Sequence, residues 1–496
     1  MKTIKNIAGL LLLFVFSGQL NAQNLIHIPA LTGKGHDSDS GTSFLFSTLN
    51  TSAYGGVIVN QSYTQSIQIA DADEPWPPRW YTNLPYRTYA ENIRDSAEGK
   101  RRYDFMIDAK IADGYLAFSE TSAKVKDEAY VSKEADGYIL LNKKYEVVDT
   151  VVSITPSKIF WHQLSINKAG ERLISVISQT KLDLRPYTNN QADAAVHSGV
   201  DVIQVVKNGS VVFSWNPIEK LEPGLFKFNE KLHCVGCEGD KDWDINWTQL
   251  TSAAWDFDGN ILYCLREIGI GKISRKDGKV LWQLNTKDLP NNSDKTLDWF
   301  RPQDFNPVAD NDSETIYSLY SVRTRGQESS KHKGVIFKVN KRTNEVKLVK
   351  AVTPEIEFKG DGDGSFEYDG KANYVFYFFP YGGDATSQND REALEYTKND
   401  TSHVIYKLPA KINAYKVHKL KGWPRPPRPV VNLKNGMLEV QGNWKNVVWY
   451  ILEGPTNQKV SVAGTGLTIK PKAGEVYCVE AQYGIGHVVS KAFKMN

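Results

Sequence analysis

Four short segments carry side chains that could act on a ligand: Trp161-His162-Gln163, Asn246-Trp247-Thr248-Gln249, Arg301-Pro302-Gln303-Asp304 and Gly362-Asp363-Gly364-Ser365. Each stands shortly before a polar turn between two apolar stretches. An imidazole, primary amides, a carboxylate, a hydroxyl and indoles gathered on one axis would make a polar pocket with aromatic walls. Arg266 and Arg323 each follow an apolar stretch at a matching depth. A guanidinium offers paired donors to sulfate or carboxylate oxygens, and amides add neutral donors. His162 could hold a proton near neutral pH. Each has a plainer reading beside it. His162 could be a packed histidine, Arg266 an ion-pair partner of Asp244 or Glu267, and Arg323 a solvated loop residue.

The elements that must position these residues recur. Gly137 to Val148, Asp201 to Trp215, Gly271 to Leu284, Gly334 to Val349 and Ser402 to Val417 each read strand, polar turn, strand. Their turns centre near Lys143, Asn208, Asp277, Thr343 and Ala410, a period of roughly 66 residues. Between them lies a second hairpin, with turns at Asp113-Gly114, Ala169-Gly170, Asp258-Gly259, Asp312-Ser313 and Asp369-Gly370. Four strands per period make one blade, and blades bury their faces only by packing around an axis. The expectation is an all-β chain whose residues 101–422 form a β-propeller. Five blades are visible, and strands within residues 23–100 join the last one to make a sixth. In such a ring the innermost strands converge on a central channel, which is where the four segments above would meet.

The ends of the chain read differently. Lys2 and Lys5 precede the apolar run Ala8 to Phe16, and Leu20-Asn21-Ala22 suits signal cleavage, so residues 1–22 read as a bacterial export signal. The mature protein is then expected in the periplasm or outside the cell, with no membrane span. Removing two lysines lowers the formal charge from +3 to +1, which gives nucleic acid no electrostatic footing. Trp423 to Pro429 is proline-rich and reads as a stiff linker. Residues 430–496, with short alternating strands, read as a small β-sandwich of fibronectin III or immunoglobulin type. Of four cysteines, Cys234 and Cys237 form a CxxC in a Gly- and Asp-rich loop. Export favours a local disulfide there over a redox or metal pair. No metal or cofactor is implied. Asp361 to Ser365 lacks the acidic positions of a calcium loop.

From about Arg102 to Lys421 the chain resembles the bacterial arylsulfotransferases. Trp161-His162 ahead of Gly170, Asp244 to Leu284 with Trp255 to Arg266 inside it, Phe300 to Asp304, and Gly364-Ser365 to Phe379 carry the resemblance. It implies a secreted six-bladed propeller that moves sulfate between phenols, with His162 and Arg266 in the catalytic channel. In this resemblance Gln249 falls where the family has a second histidine, and the histidine that carries the sulfuryl group falls on Gln303 or is deleted before Asp304. An amide cannot take a sulfuryl group as imidazole does. The expected ligand is a sulfated or anionic small molecule or glycan, contacted by Trp161, Gln249, Gln303, Asp304, Arg323 and Ser365. Two other readings stand beside sulfate transfer. One is a polysaccharide lyase on acidic glycans, using His162, Arg266 and tyrosines such as Tyr263, Tyr320 and Tyr381. The other is a non-catalytic binding propeller.

Overall fold

The computed structural model describes residues 25, 43–49, 66–71, 76–83, 102–124, 134–135, 137–154, 158–182, 196–221, 250–266, 268–285, 299, 301–321, 332–353, 362–368, 370, 374–380, 392–396, 402–407, 413–420, 423–454 and 459–496. Among them no helix is long and apolar enough to cross a membrane.

The chain starts with β1 (Ser43–Leu49), β2 (Ser66–Asp71) and β3 (Trp80–Asn83). Blade 1 follows as β4 (Arg102–Ala112), β5 (Tyr115–Lys124), β7 (Gly137–Leu141) and β8 (Val147–Val151), with a short β6 (Glu134–Ala135) between β5 and β7. Blade 2 is β9 (Lys158–Ile166), β10 (Arg172–Leu182), β11 (Val196–Lys207) and β12 (Ser210–Trp215). Blade 3 is β13 (Leu250–Trp255), β14 (Ile261–Leu265), β15 (Gly269–Ile273) and β16 (Val280–Asn285). Blade 4 is β17 (Pro302–Asp310), β18 (Glu314–Ser321), β19 (Lys333–Asn340) and β20 (Val346–Val352). Blade 5 is β21 (Gly362–Tyr368), β22 (Tyr374–Pro380), β23 (Glu392–Tyr396) and β24 (Ser402–Lys407). Each is an antiparallel sheet of four strands in chain order, and blade 2 gains β6 as a fifth strand beside β9. The tight turns fall at Asp113-Gly114, Asn208-Gly209, Gly259 and Gly278, all with positive φ. Such hairpin turns need that conformation, and Asp, Asn and Gly take it most readily.

Blade 6 corrects one reading of the sequence. Ser402 to Val417 is not a hairpin. β24 ends blade 5, and β25 (Asn413–Lys419) crosses to the next sheet, ordered β25-β1-β2-β3. The outer pair of blade 5 is instead β23 with β24. The innermost strands β4, β9, β13, β17, β21 and β25 each pack against the next, and β25 packs against β4. The ring closes at six blades, with one strand from the late chain inside three from the early chain. Closure leaves the innermost strands with only short edges, sheltered at the axis.

The C-terminal module is β26 (Val431–Lys434), β27 (Met437–Val440), β28 (Val448–Glu453), β29 (Lys459–Thr465), β30 (Thr468–Ile469), β31 (Val476–Tyr483), β32 (Gly486–Val489) and β33 (Phe493–Lys494). Strands β26, β27 and β30 form one sheet, and β28, β29, β31 and β32 belong to the other. Between them Leu438, Val440, Trp449, Tyr477 and Val479 are buried. The Tyr477 hydroxyl accepts the Lys472 N–H at 3.0 Å, the corner tie common in such sandwiches.

This module is fused to the ring rather than tethered to it. β3 pairs with β32, so the blade 6 sheet runs on into the module. The proline-rich stretch is a clasp, not a free linker. Buried Asp71 at the end of β2 accepts from Arg79 Nε at 2.7 Å, Arg425 Nη2 at 2.6 Å and Arg428 Nη2 at 3.1 Å. Burial alone would raise the Asp71 carboxyl pKa, but the arginines hold it well below the usual carboxylate range. Tyr145, from the outer turn of blade 1, completes the join. Its hydroxyl donates to Pro424 O at 2.9 Å and accepts from Trp423 Nε1 at 3.0 Å.

Candidate functional site

Several innermost strands are irregular. A bulge in an inner strand leaves two residues facing one, bends the backbone and re-aims side chains. The β4/β5 register shifts between Ile107 and Lys110, and β13/β14 between Leu250 and Ser252. The β17/β18 register shifts between Gln303 and Asn306. The widest irregularity is in β9. Ile159 pairs with Val176 and Leu164 with Ile174, so residues 160–163 lie against Ser175 alone. Trp161, His162 and Gln163 sit in that stretch. For Trp161 and His162 the backbone alone is described. Beside them β6, an excursion from blade 1, pairs on the inner edge of β9 as Glu134↔Phe160 and Ala135↔Ile159. β6 thus covers the inner edge of β9 beside Phe160.

A repeated latch ties four of the six innermost strands to the preceding blade. A side-chain oxygen of one blade accepts the backbone N–H of the following inner strand. The series is Asp201 to Leu250 at 2.9 Å, Ser252 to Phe305 at 2.8 Å, Asp304 to Phe366 at 3.1 Å and Glu367 to Lys419 at 3.2 Å. Asp304, expected from sequence to contact substrate, therefore has a carboxylate oxygen engaged in holding blade 5 against blade 4. Its second oxygen accepts from Asn306 Nδ2 at 3.2 Å.

Four buried polar side chains gather at that blade 4–blade 5 seam: Gln303, Asp304, Tyr320 and His332; Ser365 is buried too, on the opposite face of β21 from Phe366. Gln303 lies directly opposite Tyr320 across β17 and β18, and Tyr320 opposite Gly334 across β18 and β19. Directly opposed residues point to the same side of a sheet. The Tyr320 hydroxyl is 2.7 Å from His332 Nδ1, and the two rings stack at 5.8 Å. Ser365 precedes Phe366, whose ring occupies the space a side chain at Gly334 would need. The backbone here is strained, since Arg301 and Asp304 have φ of 49° and 51°. Arginine rarely adopts that region, and such outliers cluster where geometry serves function.

Arg266 lies in the turn between β14 and β15. Its preceding residue Leu265 pairs with Leu250 at the start of β13. The same register places Ser321 opposite Pro302 at the start of β17. Arg266 and Gln303 therefore sit at corresponding ends of neighbouring blades. Arg266 is partly exposed, and its Nε is buried with no hydrogen-bond partner among the described residues. Gln249, Arg323, Cys234 and Cys237 lie outside the described residues.

The structure separates the tyrosines of the lyase reading. Tyr263 stacks on Trp215 at 4.9 Å and donates to Gln283 at 3.0 Å, so it is a packing residue between blades 2 and 3. Tyr320 is at the channel seam, and Tyr381 is outside the described residues. Cys264 is a buried thiol held between blades. Its Sγ is 3.0 Å from Pro302 O and 3.1 Å from Thr251 Oγ1. Burial pushes its pKa up to about 12, and Asp304 adds to the rise. It is inert as a nucleophile. Among the described residues no cluster of His, Cys, Asp and Glu has the geometry of a metal site.

Sequence reasoning missed His332. It precedes β19 rather than an inner turn, so the repeat did not single it out. Its two-residue separation from Gly334, which faces Tyr320, was the available signal.

No curated protein sequence matches the chain. Among solved structures, the extracellular domain of a hybrid two-component system from B. thetaiotaomicron is similar at 12 % identity and TM-score 0.30, covering 94 % of this chain and 59 % of that one. The chain thus spans about three-fifths of that protein's solved length. The Cps50 (Swd1) β-propeller domain of Myceliophteria thermophila is similar at 9 % identity and TM-score 0.28, covering 81 % and 96 %. Likeness at that level carries no weight, and the propeller rests on the strand order above. The family profile of the arylsulfotransferases (ASST) matches residues 138–398, from β7 of blade 1 to just beyond β23 of blade 5. That is more than half of the chain, which belongs to the arylsulfotransferase family.

Proposed function

We propose that this chain binds an aryl sulfate at the channel end and passes its sulfuryl group to a phenol, without a covalent histidine carrier. Supporting it most is the family match, because it spans the blades that supply Arg266, Gln303 and Ser365. Arg266 would meet the sulfate oxygens, with Gln303 as a neutral donor beside it. His162, in the wide irregularity of β9, faces the same reaction from blade 2 in this reading. Sulfated glycans are a second ligand class that the same donors would suit. Export to the periplasm or beyond fits a protein acting on such ligands.

The test is incubation with 4-nitrophenyl sulfate and phenol. Wild-type protein should release 4-nitrophenolate and form phenyl sulfate. Arg266→Gln should weaken donor binding about 10- to 100-fold, the range for a hydrogen bond to a charged group. Binding without release would favour the non-catalytic reading. A new ultraviolet band from an unsaturated uronate would favour the lyase.

A further inference from the structure

We propose that Thr251 and Cys264 are positioning residues, whose shared grip on the Pro302 carbonyl sets Arg266 of blade 3 against Gln303 of blade 4. The inference rests on the reading above, in which Arg266 and Gln303 meet one sulfate. Its own basis is the geometry of the blade 3–blade 4 seam. The β13/β14 register shifts between Leu250 and Ser252, so Thr251 is the extra residue of a bulge. A bulged residue leaves the ladder and its side chain is re-aimed. Thr251 Oγ1 donates to Pro302 O at 2.9 Å across the seam. The Cys264 thiol donates to the same oxygen at 3.0 Å and lies 3.1 Å from Thr251 Oγ1. A carbonyl oxygen has two lone pairs and accepts both. Burial pushes the Cys264 pKa up to about 12, which keeps the S–H proton in place at neutral pH.

Pro302 opens β17. Arg301, just before it, has a φ of 49°, and Asp304, inside the strand, has a φ of 51°. A second register shift falls there, between Gln303 and Asn306. Strained backbone persists where its surroundings over-determine it. Here the fixed points are Pro302 O, held by Thr251 and Cys264, and the Phe305 N–H, held by Ser252. The Ser252 bond is the latch that recurs at other seams. The grip on Pro302 is additional, and it falls between the two groups assigned to the ligand. Arg266 is two residues past Cys264, and Gln303 is one past Pro302. Thr251, Arg266 and Arg301 are all partly exposed, so this end of the seam is open to solvent, while Cys264 is buried.

Thr251→Val and Cys264→Ala remove the two donors, and Thr251→Ser and Cys264→Ser keep them. Affinity for 4-nitrophenyl sulfate is measured by calorimetry, and transfer to phenol by release of 4-nitrophenolate, in the wild-type and Arg266→Gln backgrounds. Thr251→Val and Cys264→Ala should each lose about 10-fold in affinity and up to about 100-fold in rate, because misplacement by about 1 Å costs that much. The two serine variants should recover most of the loss. In the Arg266→Gln background the same changes should cost less than about two-fold, since the grip acts through that arginine. Thermal melts check folding, and Cys264→Ala carries the test if Thr251→Val does not fold. Wild-type affinity and rate in both variants, or a loss that adds in full to that of Arg266→Gln, overturns the proposal. Hydrogen exchange over residues 299–306 separates the grip from the reading it rests on. Faster exchange there in both variants, in a protein that binds no aryl sulfate, supports the grip and overturns the assigned ligand. Unchanged exchange overturns the grip itself.

Discussion

Two buried polar seams in this molecule are built on opposite plans. Between blade 6 and the C-terminal module, Asp71 faces three arginines. Nearby Glu480 accepts from Tyr81 at 2.6 Å and Tyr450 at 3.0 Å, with His487 3.1 Å away. These groups come from distant parts of the chain, and opposite charges meet. Between blades 4 and 5 the groups are an amide, a phenol, an imidazole and one carboxylate, all from blade 4. There the strand is bulged and two non-glycine residues have positive φ. Burial of polar groups is common to both. A non-glycine residue at positive φ occurs in both, Tyr145 in the clasp and Arg301 and Asp304 in the second seam, so what separates the two is charge pairing rather than strain.

The largest effect should come from breaking the clasp. Asp71→Asn leaves three arginines facing a neutral amide and should cost about 3–5 kcal/mol, the range for removing one partner of a buried ion cluster. Urea denaturation measures it, and 4-nitrophenyl sulfate binding should be unchanged. The clasp also has a pH signature. Because the folded Asp71 pKa is depressed below the ordinary 3.8 of a free aspartate, its stabilisation is present above pH 3.8 and is lost as pH falls toward the lower folded value. Urea midpoints should drop across that acid window in the wild type, and less steeply in Asp71→Asn.

Gly334→Ala sharpens the comparison from the other side. The new Cβ would lie 2.2 Å from the Phe366 ring. Overpacking of that kind costs about 1–3 kcal/mol. Unlike Asp71→Asn, it should lower transfer more than its stability loss explains, because it displaces the seam. The smallest effect should come from a single latch. Ser252→Ala removes the acceptor of one N–H bond and should cost about 1–2 kcal/mol, with little change in transfer. Thermal melts on both variants give the ranking.

Much of the ring was legible because its signals are local. Asp-Gly and Asn-Gly turns at a fixed period need only hairpin chemistry, and five copies reinforce each other. Blade 6 was less legible because its pairing is not local. Ser402 to Val417 has the same strand–turn–strand texture as a true hairpin, and only the open edge of β1 decides that β25 crosses over. The clasp carried a signal that went unread. Arg425 and Arg428 are three apart in a proline-rich run, and an extended proline helix repeats every three residues, which puts both on the side facing Asp71. The candidate site was half legible. Gln303, Asp304, Arg266 and Ser365 follow from repeat position. His332 does not, because its place depends on the partner strand of Tyr320.

The most direct test of the account is a crystal structure of the protein soaked with 4-nitrophenyl sulfate. The sulfate should lie within hydrogen-bonding distance of Arg266 and Gln303 at the end of the channel, with its aryl group toward the bulged stretch of β9. A sulfate bound on the outer faces of the blades, or an Arg266 pointing away from the axis, would contradict it.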